Sequence, residues 1–335
     1  MNTSTNTNTD TGQAGTAFPS GAQPVPYRRM TVLAAFRLAA VHTWPAAICP
    51  AMFGIFWCLH RGIPITLAQC ILLTAACLLS QSAVNTLNDY ADFVSGADSE
   101  EDNVEASDSV LVYNHIDPKH ALILGIGYLL SAAACGVAAS WHSGPAPFLV
   151  GLAGALTVIG YSAGPLPIAS LPLGEAVSGF VMGGLIPLGT AAAADGRFHW
   201  EILPECLPLI LGIALIMLSN NGSDIEKDIR SGRITLPAVL GRPRALGLYR
   251  VMLGTWIALL CIQPLLHLGG TGVISILLTV SVGYRPFWFL IRAGLRPEDR
   301  IRQMKSVAGA NLIGNGFLAA AYALAWIRII VSQAG

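Results

Sequence analysis

Charge is scarce in this sequence. Asp, Glu, Lys and Arg make up 11% of its 335 residues, against 53% hydrophobic residues and a mean hydropathy of +0.59. A soluble domain carries about 25% charged residues, and halving that leaves too little polar surface to coat a globule of this length. The apolar excess has to face something other than water, and a lipid bilayer is the expected solvent. Net charge is also lacking, with 19 basic and 19 acidic residues, so nothing marks a nucleic-acid footprint and no nucleic acid is expected as a partner. Paired cysteines are missing too. The seven (Cys49, Cys58, Cys70, Cys77, Cys135, Cys206 and Cys261) lie in or beside apolar runs, irregularly spaced and without a C-x-x-C pair. That pattern favours small packing residues over a disulfide frame or a zinc site. Residues 1–26 hold one acid, Asp10, and no Lys or Arg. They therefore lack the positive n-region and following apolar stretch of a signal peptide. The Thr, Asn, Gly, Ala and Pro bias reads as a disordered tail, taken as residues 1–28, ahead of a membrane domain over residues 29–335.

Long apolar runs are abundant. A membrane helix needs roughly 20 of them in succession. Nine runs of about that length occur, near 33–58, 65–87, 120–140, 145–163, 171–192, 204–221, 245–267, 271–291 and 306–330. The expected fold class is an all-α integral membrane protein with nine transmembrane helices. With the N-terminus in the cytoplasm, all but Arg61, Arg197 and Arg328 of the 19 Lys and Arg fall at or toward the cytoplasmic side, a strong positive-inside bias. Two long polar loops, near 88–119 and 220–244, then face the cytoplasm. Both open on Asn/Asp clusters: Asn88-Asp89-Tyr90-Ala91-Asp92 and Asn220-Asn221-Gly222-Ser223-Asp224-Ile225-Glu226-Lys227-Asp228. Four helices separate them, which predicts a weak parallel repeat of helices 1–4 and 5–8 with a ninth added.

Residues four apart share a helix face. Asn88 with Asp92, and Asn220 with Asp224 and Asp228, therefore form stripes of hard oxygen donors if the helices run past the membrane edge. Such oxygens suit Mg²⁺, which keeps several waters and bridges to substrate phosphates. No His or Cys joins them, so zinc is not expected. Lys227, Arg230 and Arg233 lie within the second cluster, and Lys119 closes the first loop. Metal on one side and cations on the other would hold a diphosphate. Any single acid in a loop is more simply a solvated residue, and Glu100, Glu101, Asp102, Glu105 and Asp108 are read that way. Two matched stripes at membrane ends are harder to dismiss, because polar groups there are costly.

The pattern Asn85-x-x-Asn88-Asp89-Tyr90-x-Asp92-x-x-x-Gly96-x-Asp98 resembles the first aspartate motif of the UbiA superfamily of membrane prenyltransferases. It is closest to the 1,4-dihydroxy-2-naphthoate polyprenyltransferases of the menaquinone pathway. The second motif fits, Asn220-Asn221-x-x-Asp224-Ile225-Glu226-x-Asp228 followed by Gly232-Arg233-x-Thr235-Leu236 and Leu240-Gly241. So does Tyr161-Ser162-Ala163-Gly164-Pro165-Leu166-Pro167-Ile168-Ala169 with Leu173-Gly174-Glu175. The resemblance spans roughly residues 30–330. It implies a helical bundle around a central cavity, with the motifs at its cytoplasmic mouth and a two-Mg²⁺ site in the cell membrane. It implies metal ligands Asn88, Asp89, Asp92, Asp98, Asp224 and Asp228, with Asp92 and Asp224 central to catalysis. It implies substrate contacts from Asn85, Lys119, Tyr161, Asn220, Asn221, Lys227, Arg230 and Arg233. The implied reaction joins an isoprenyl diphosphate to an aromatic acceptor, most closely 1,4-dihydroxy-2-naphthoate.

The departures from that pattern cluster on cations. Relatives usually place Arg before Asp224 and Lys before Thr235, where this chain has Ser223 and Ile234; a basic residue near Tyr113 and an Arg-Pro pair near Ala40-Val41 are also missing. Ser223→Arg and Ile234→Lys are therefore expected to raise kcat/KM. The same departures keep open a diverged homologue with another acceptor, or a weakly active one with a binding role. A membrane transporter is a further alternative, although transporters carry their ionisable residues nearer the midplane. Tyr161 reads equally as a substrate contact or an interface anchor, Glu175 as an interfacial acid, and His42 as a packed polar residue or a cavity cation.

Overall fold

A computed structural model describes residues 27–96, 110–114 and 116–334. The tail to residue 26, Asp98 and the acids of 97–109 lie outside the described residues. Within them the chain is helical, with no strand beyond one isolated bridge between Arg28 and Ile116.

The first span is broken. α1 (Val32–Leu38) and α2 (Pro45–His60) meet at a 59° bend through a 3₁₀ turn at Val41–Thr43. Ala40 sits at the corner with φ 46°, a left-handed conformation that an L side chain rarely adopts. α3 (Leu67–Ser95) braces this corner with polar side chains. Asn85 Nδ2 donates to the Ala39 carbonyl at 3.1 Å and to Thr43 Oγ1 at 2.9 Å, and Thr86 Oγ1 donates to the Leu38 carbonyl at 3.1 Å. α3 starts on a capping box at Thr66 and Gln69 and stops at Gly96 in the left-handed region. It carries the first motif on its last turns.

α4 (Val110–Asn114) is a short helix laid against α3. α5 (Pro118–Ser140) and α6 (Ala146–Ser162) return across the bundle, and α5 packs extensively on α3. α7 (Gly174–Phe180) and α8 (Ile186–Asp195) form one span, joined by a π turn at Val181–Leu185. Gly183 lies in that turn, and a Cβ there would overlap the backbone of Ile210. α9 (Ile202–Glu205) leads into α10 (Leu207–Ser223). The second motif continues through α11 (Ile225–Arg230), α12 (Leu236–Leu240) and into α13 (Arg242–Leu268). α14 (Gly270–Arg292) and α15 (Arg300–Ala334) complete the chain.

α10 is the central helix. One buried cluster joins its Leu215 and Leu218 to Tyr249, Trp256, Leu290 and Val307; another joins its Leu209 to Phe53, Trp57, Leu188 and Tyr322. α15 also packs along α2, so the last long helix lies beside the first. At that seam Arg61 donates to Glu205 at 2.6 Å, and Tyr322 hydrogen-bonds the other oxygen of the same buried carboxylate.

Among the described residues, six helices are long and apolar enough to cross a membrane, and the bent α1–α2 pair makes up to seven. The other two expected runs fall on α6 and α10, apolar helices of 17 residues each. Only 17% of the most apolar stretch of α3, α5 or α14 is buried, against 50% in α7–α8. Apolar side chains such as Leu130, Leu266 and Val280 point outward. Such an outer surface is stable only in lipid.

Candidate active site

The first motif follows from the length of α3. Its apolar run would end near residue 87, but the helix continues to Ser95 and puts Asn88 and Asp92 on one face. Asn88 Nδ2 donates to Asp92 Oδ2 at 2.8 Å, and Ser162 at the end of α6 donates to Asn88 Oδ1 at 3.2 Å. Asp89 points elsewhere. It is buried, and its carboxylate accepts from the Val110 and Leu111 backbone N–H groups at 2.8 and 3.4 Å. It therefore caps α4 and anchors the far end of the first loop.

The second motif is not one uninterrupted helix. Asp224 closes α10 and opens α11, with φ −105° and ψ 14°. The register survives the break, because Asp224 N–H donates to the Asn220 carbonyl at 3.2 Å and Asp228 N–H to the Asp224 carbonyl at 2.8 Å. Asp228 is buried, with Thr235 Oγ1 donating to its Oδ2 at 2.8 Å. Burial pushes its carboxyl pKa up, and the neighbouring Asp224 adds to this; Arg233 and the Thr235 hydroxyl pull it back.

Arg233 joins the motifs. Its Nη1 is 4.0 Å from Asp92 Oδ1 and its Nε is 3.7 Å from Asp228 Oδ1, while Nη2 donates to the Ala169 carbonyl at 3.0 Å. The Nε is buried and has no hydrogen-bond partner among the described residues. That donor stands 3.7 Å from Asp228 Oδ1, beyond hydrogen-bond reach, on a guanidinium that also borders Asp92. It marks a place where another oxygen ligand fits.

Other expected site residues divide. Asn221 is buried and donates to Glu175 Oε1 at 2.9 Å, so Glu175 is an interior acid rather than a solvated interfacial one. Its Oε2 is buried without a hydrogen-bond partner among the described residues. Tyr161 donates to Met217 Sδ at 3.8 Å, linking α6 to α10. Asn85 braces the broken first span, as described above. Lys227 is half-buried and Arg230 exposed on α11; Lys119 is exposed at the start of α5, and His42 is exposed at the α1–α2 corner.

The sequence gives no sign of Arg300. It reaches in from the start of α15, 76 residues beyond Asp224. Its Nε lies 2.9 and 3.1 Å from the two Asp224 oxygens, and its Nη2 donates to Asn220 Oδ1 at 2.8 Å. Nearby, Arg242 makes a two-oxygen contact to Glu226 at 2.6 and 2.7 Å. That hydrogen bonding holds the Glu226 carboxyl below the usual carboxylate range.

The donor set fits Mg²⁺. Asn88, Asp92, Asp224 and Asp228 offer hard oxygens. Among the described residues no three Asp, Glu, His or Cys groups converge as a ready metal cage. Mg²⁺ commonly takes one or two carboxylates and completes its shell with water and substrate phosphate oxygens.

Residues 47–313 match the UbiA prenyltransferase family. A Bacillus subtilis 1,4-dihydroxy-2-naphthoate octaprenyltransferase is 30% identical over 218 residues, covering 64% of this chain and 68% of the relative. A Mycobacterium tuberculosis protein of the same description is 28% identical over 222 residues, covering 64% and 72%. A solved UbiA homologue from Archaeoglobus fulgidus, bound to GPP and Mg²⁺, superposes with a TM-score of 0.60 at 17% identity. It covers 86% of this chain and 99% of its own. The fold is shared almost end to end with that structure, and the sequence match takes in both aspartate motifs: this multi-pass membrane protein belongs to the UbiA prenyltransferase family.

Proposed function

We propose that this chain transfers a polyprenyl group from an isoprenyl diphosphate to an aromatic acceptor, with 1,4-dihydroxy-2-naphthoate the favoured acceptor. The observation that carries the reading is Arg233, held between Asp92 and Asp228 with a buried Nε left without a hydrogen-bond partner. The two relatives described as naphthoate octaprenyltransferases supply the acceptor.

Asn88, Asp92, Asp224 and Asp228 would hold Mg²⁺, whose contribution when bound is to neutralise charge on the departing diphosphate. Arg233 donates to the diphosphate oxygens from a site fixed in advance by Ala169, so little reorganisation is needed as charge develops. Lys227, Arg230 and Lys119 add positive potential around the mouth. The C–O bond to the prenyl carbon breaks with its electron pair on the diphosphate. A ring carbon then donates a pair to form the new C–C bond, and the ring releases carbon dioxide from its carboxylate or, with another acceptor, a proton. The apolar helices behind the motifs keep water from the allylic cation. Asp98 completes the first motif in this reading. Taking α6 and α10 as spans gives nine crossings and a parallel repeat, and it puts both motifs on the cytoplasmic face of the cell membrane, as the distribution of Lys and Arg favours.

Ser223 and Ile234 favour a second reading, a family member with a different aromatic acceptor. Purified protein in lipid nanodiscs, supplied with labelled prenyl diphosphate, Mg²⁺ and a panel of aromatic acceptors, separates the two. Prenylated naphthoquinol as the main product supports the first. Product from another ring moves the assignment to the second. Absence of prenyl transfer to every acceptor overturns both.

A further inference from the structure

We propose that Arg300 exchanges its hold on the second motif for the substrate's diphosphate, so that it competes with Mg²⁺ for Asp224 and then anchors the leaving group; this rests on the prenyltransferase reading above. The geometry points there because one guanidinium contacts every side-chain oxygen of Asn220 and Asp224. Nε contacts both Asp224 oxygens and Nη2 contacts Asn220 Oδ1, all within 3.1 Å. Each oxygen so held offers a metal only its second lone pair, and the guanidinium charge opposes a divalent ion placed against the same group.

The two site arginines are bound differently. Arg233 stands 3.7 and 4.0 Å from its nearest carboxylates, poised for a further ligand. Arg300 is 8% exposed and fully engaged with Asp224. It is carried on the first turn of α15, directly after the 3₁₀ turn Pro297–Asp299, so a side-chain rotation can move the guanidinium without disturbing a helix. Once Asp224 turns to the metal, the freed fork lies beside the bound phosphate oxygens, where a planar guanidinium makes paired hydrogen bonds. Ser223, the residue adjoining Asp224 in sequence, offers no such group, since its hydroxyl is buried and donates to the Ser219 carbonyl at 2.9 Å.

A merely structural ion pair and an exchanging one differ in sign. Loss of a structural pair loosens the site and weakens every ligand. Loss of a competitor tightens the metal and weakens only the diphosphate. The test uses the full chain in nanodiscs, with Mn²⁺ as a spectroscopic probe for the divalent ion and farnesyl thiodiphosphate as an unreactive substrate. Arg300→Gln is expected to bind Mn²⁺ about tenfold tighter without substrate, and farnesyl thiodiphosphate about tenfold weaker at saturating Mg²⁺. Arg300→Lys, which keeps the charge but loses the fork, is expected to shift both constants in the same directions by less, and serves alone if the Gln variant does not fold. Weaker or unchanged Mn²⁺ binding overturns the exchange, as does unchanged thiodiphosphate affinity. Wild-type protein that binds neither probe overturns the prenyltransferase reading and this inference together.

Discussion

Asp89 and Asp92 sit one turn apart on α3 and do different work. Asp92 faces Arg233 and the second motif; Asp89 turns away and caps α4. Replacing Asp92 or Asp228 with Asn is expected to lower Mg²⁺-dependent turnover by orders of magnitude, because under the proposed function each change takes away a charged metal donor. Asp89→Ala should instead cost about 1 kcal/mol of stability, the usual price of a lost helix cap, with a smaller fall in turnover. Parallel thermal melts and rate measurements check the split, and equal activity losses at positions 89 and 92 would contradict it. The two missing cations separate in the same way. Ser223 is 1% exposed, so Ser223→Arg forces a charge into a packed interior and should lower the melting temperature before it adds any contact. Ile234 is 56% exposed beside Arg233 in the chain and can accept Lys. Ile234→Lys is therefore expected to lower KM for the diphosphate while Ser223→Arg is not, as steady-state kinetics on folded material would reveal. Sequence spacing could pair Asn88 with Asp92 through the helical repeat. It could not say that Asp89 turns to the start of α4, nor that Arg300 crosses from a distant helix, because neither contact is periodic in the chain.

Among the elements, hydropathy located the spans because their length is set by the bilayer, a constraint any run of apolar residues must meet. It could not locate breaks. The bend at Ala40 and the π turn at Val181–Leu185 occur inside apolar runs that look continuous, and the interruption at Asp224 falls within an Asn/Asp stripe whose spacing reads as one helix. Each depends on what packs alongside. Gly183 is the clearest case, since α7–α8 and α10 approach so closely that its missing side chain is the space they share. Gly183→Ala should destabilise the protein by about 1–3 kcal/mol or more, the cost of overpacking against backbone that cannot move aside. Gly151→Ala, on α6 with open space around it, should be near neutral. Comparable losses for the two variants in detergent melts would show that the tight crossing is not what fixes that span.

At the scale of the whole molecule, the family, the helical class and the membrane setting were legible because three motifs occur in order along the apolar runs. The number of crossings was less so, since α6 and α10 are at the short end of spanning length. Their status decides which side the second motif faces. In a variant lacking native cysteines, single cysteines placed at positions 94 and 230 should both be labelled by a membrane-impermeant reagent only from the cytoplasmic side. Labelling of one from each side would remove the even number of crossings between the motifs.

The seam at Arg61, Glu205 and Tyr322 also sets an order of events during synthesis. Arg61 leaves the ribosome 144 residues ahead of Glu205, and Glu205 117 residues ahead of Tyr322. The flank of α2 that α15 covers must therefore wait, against lipid or a helper protein, until α15 is made. That part of the bundle stays open while the helices between them are made, and α15 closes it.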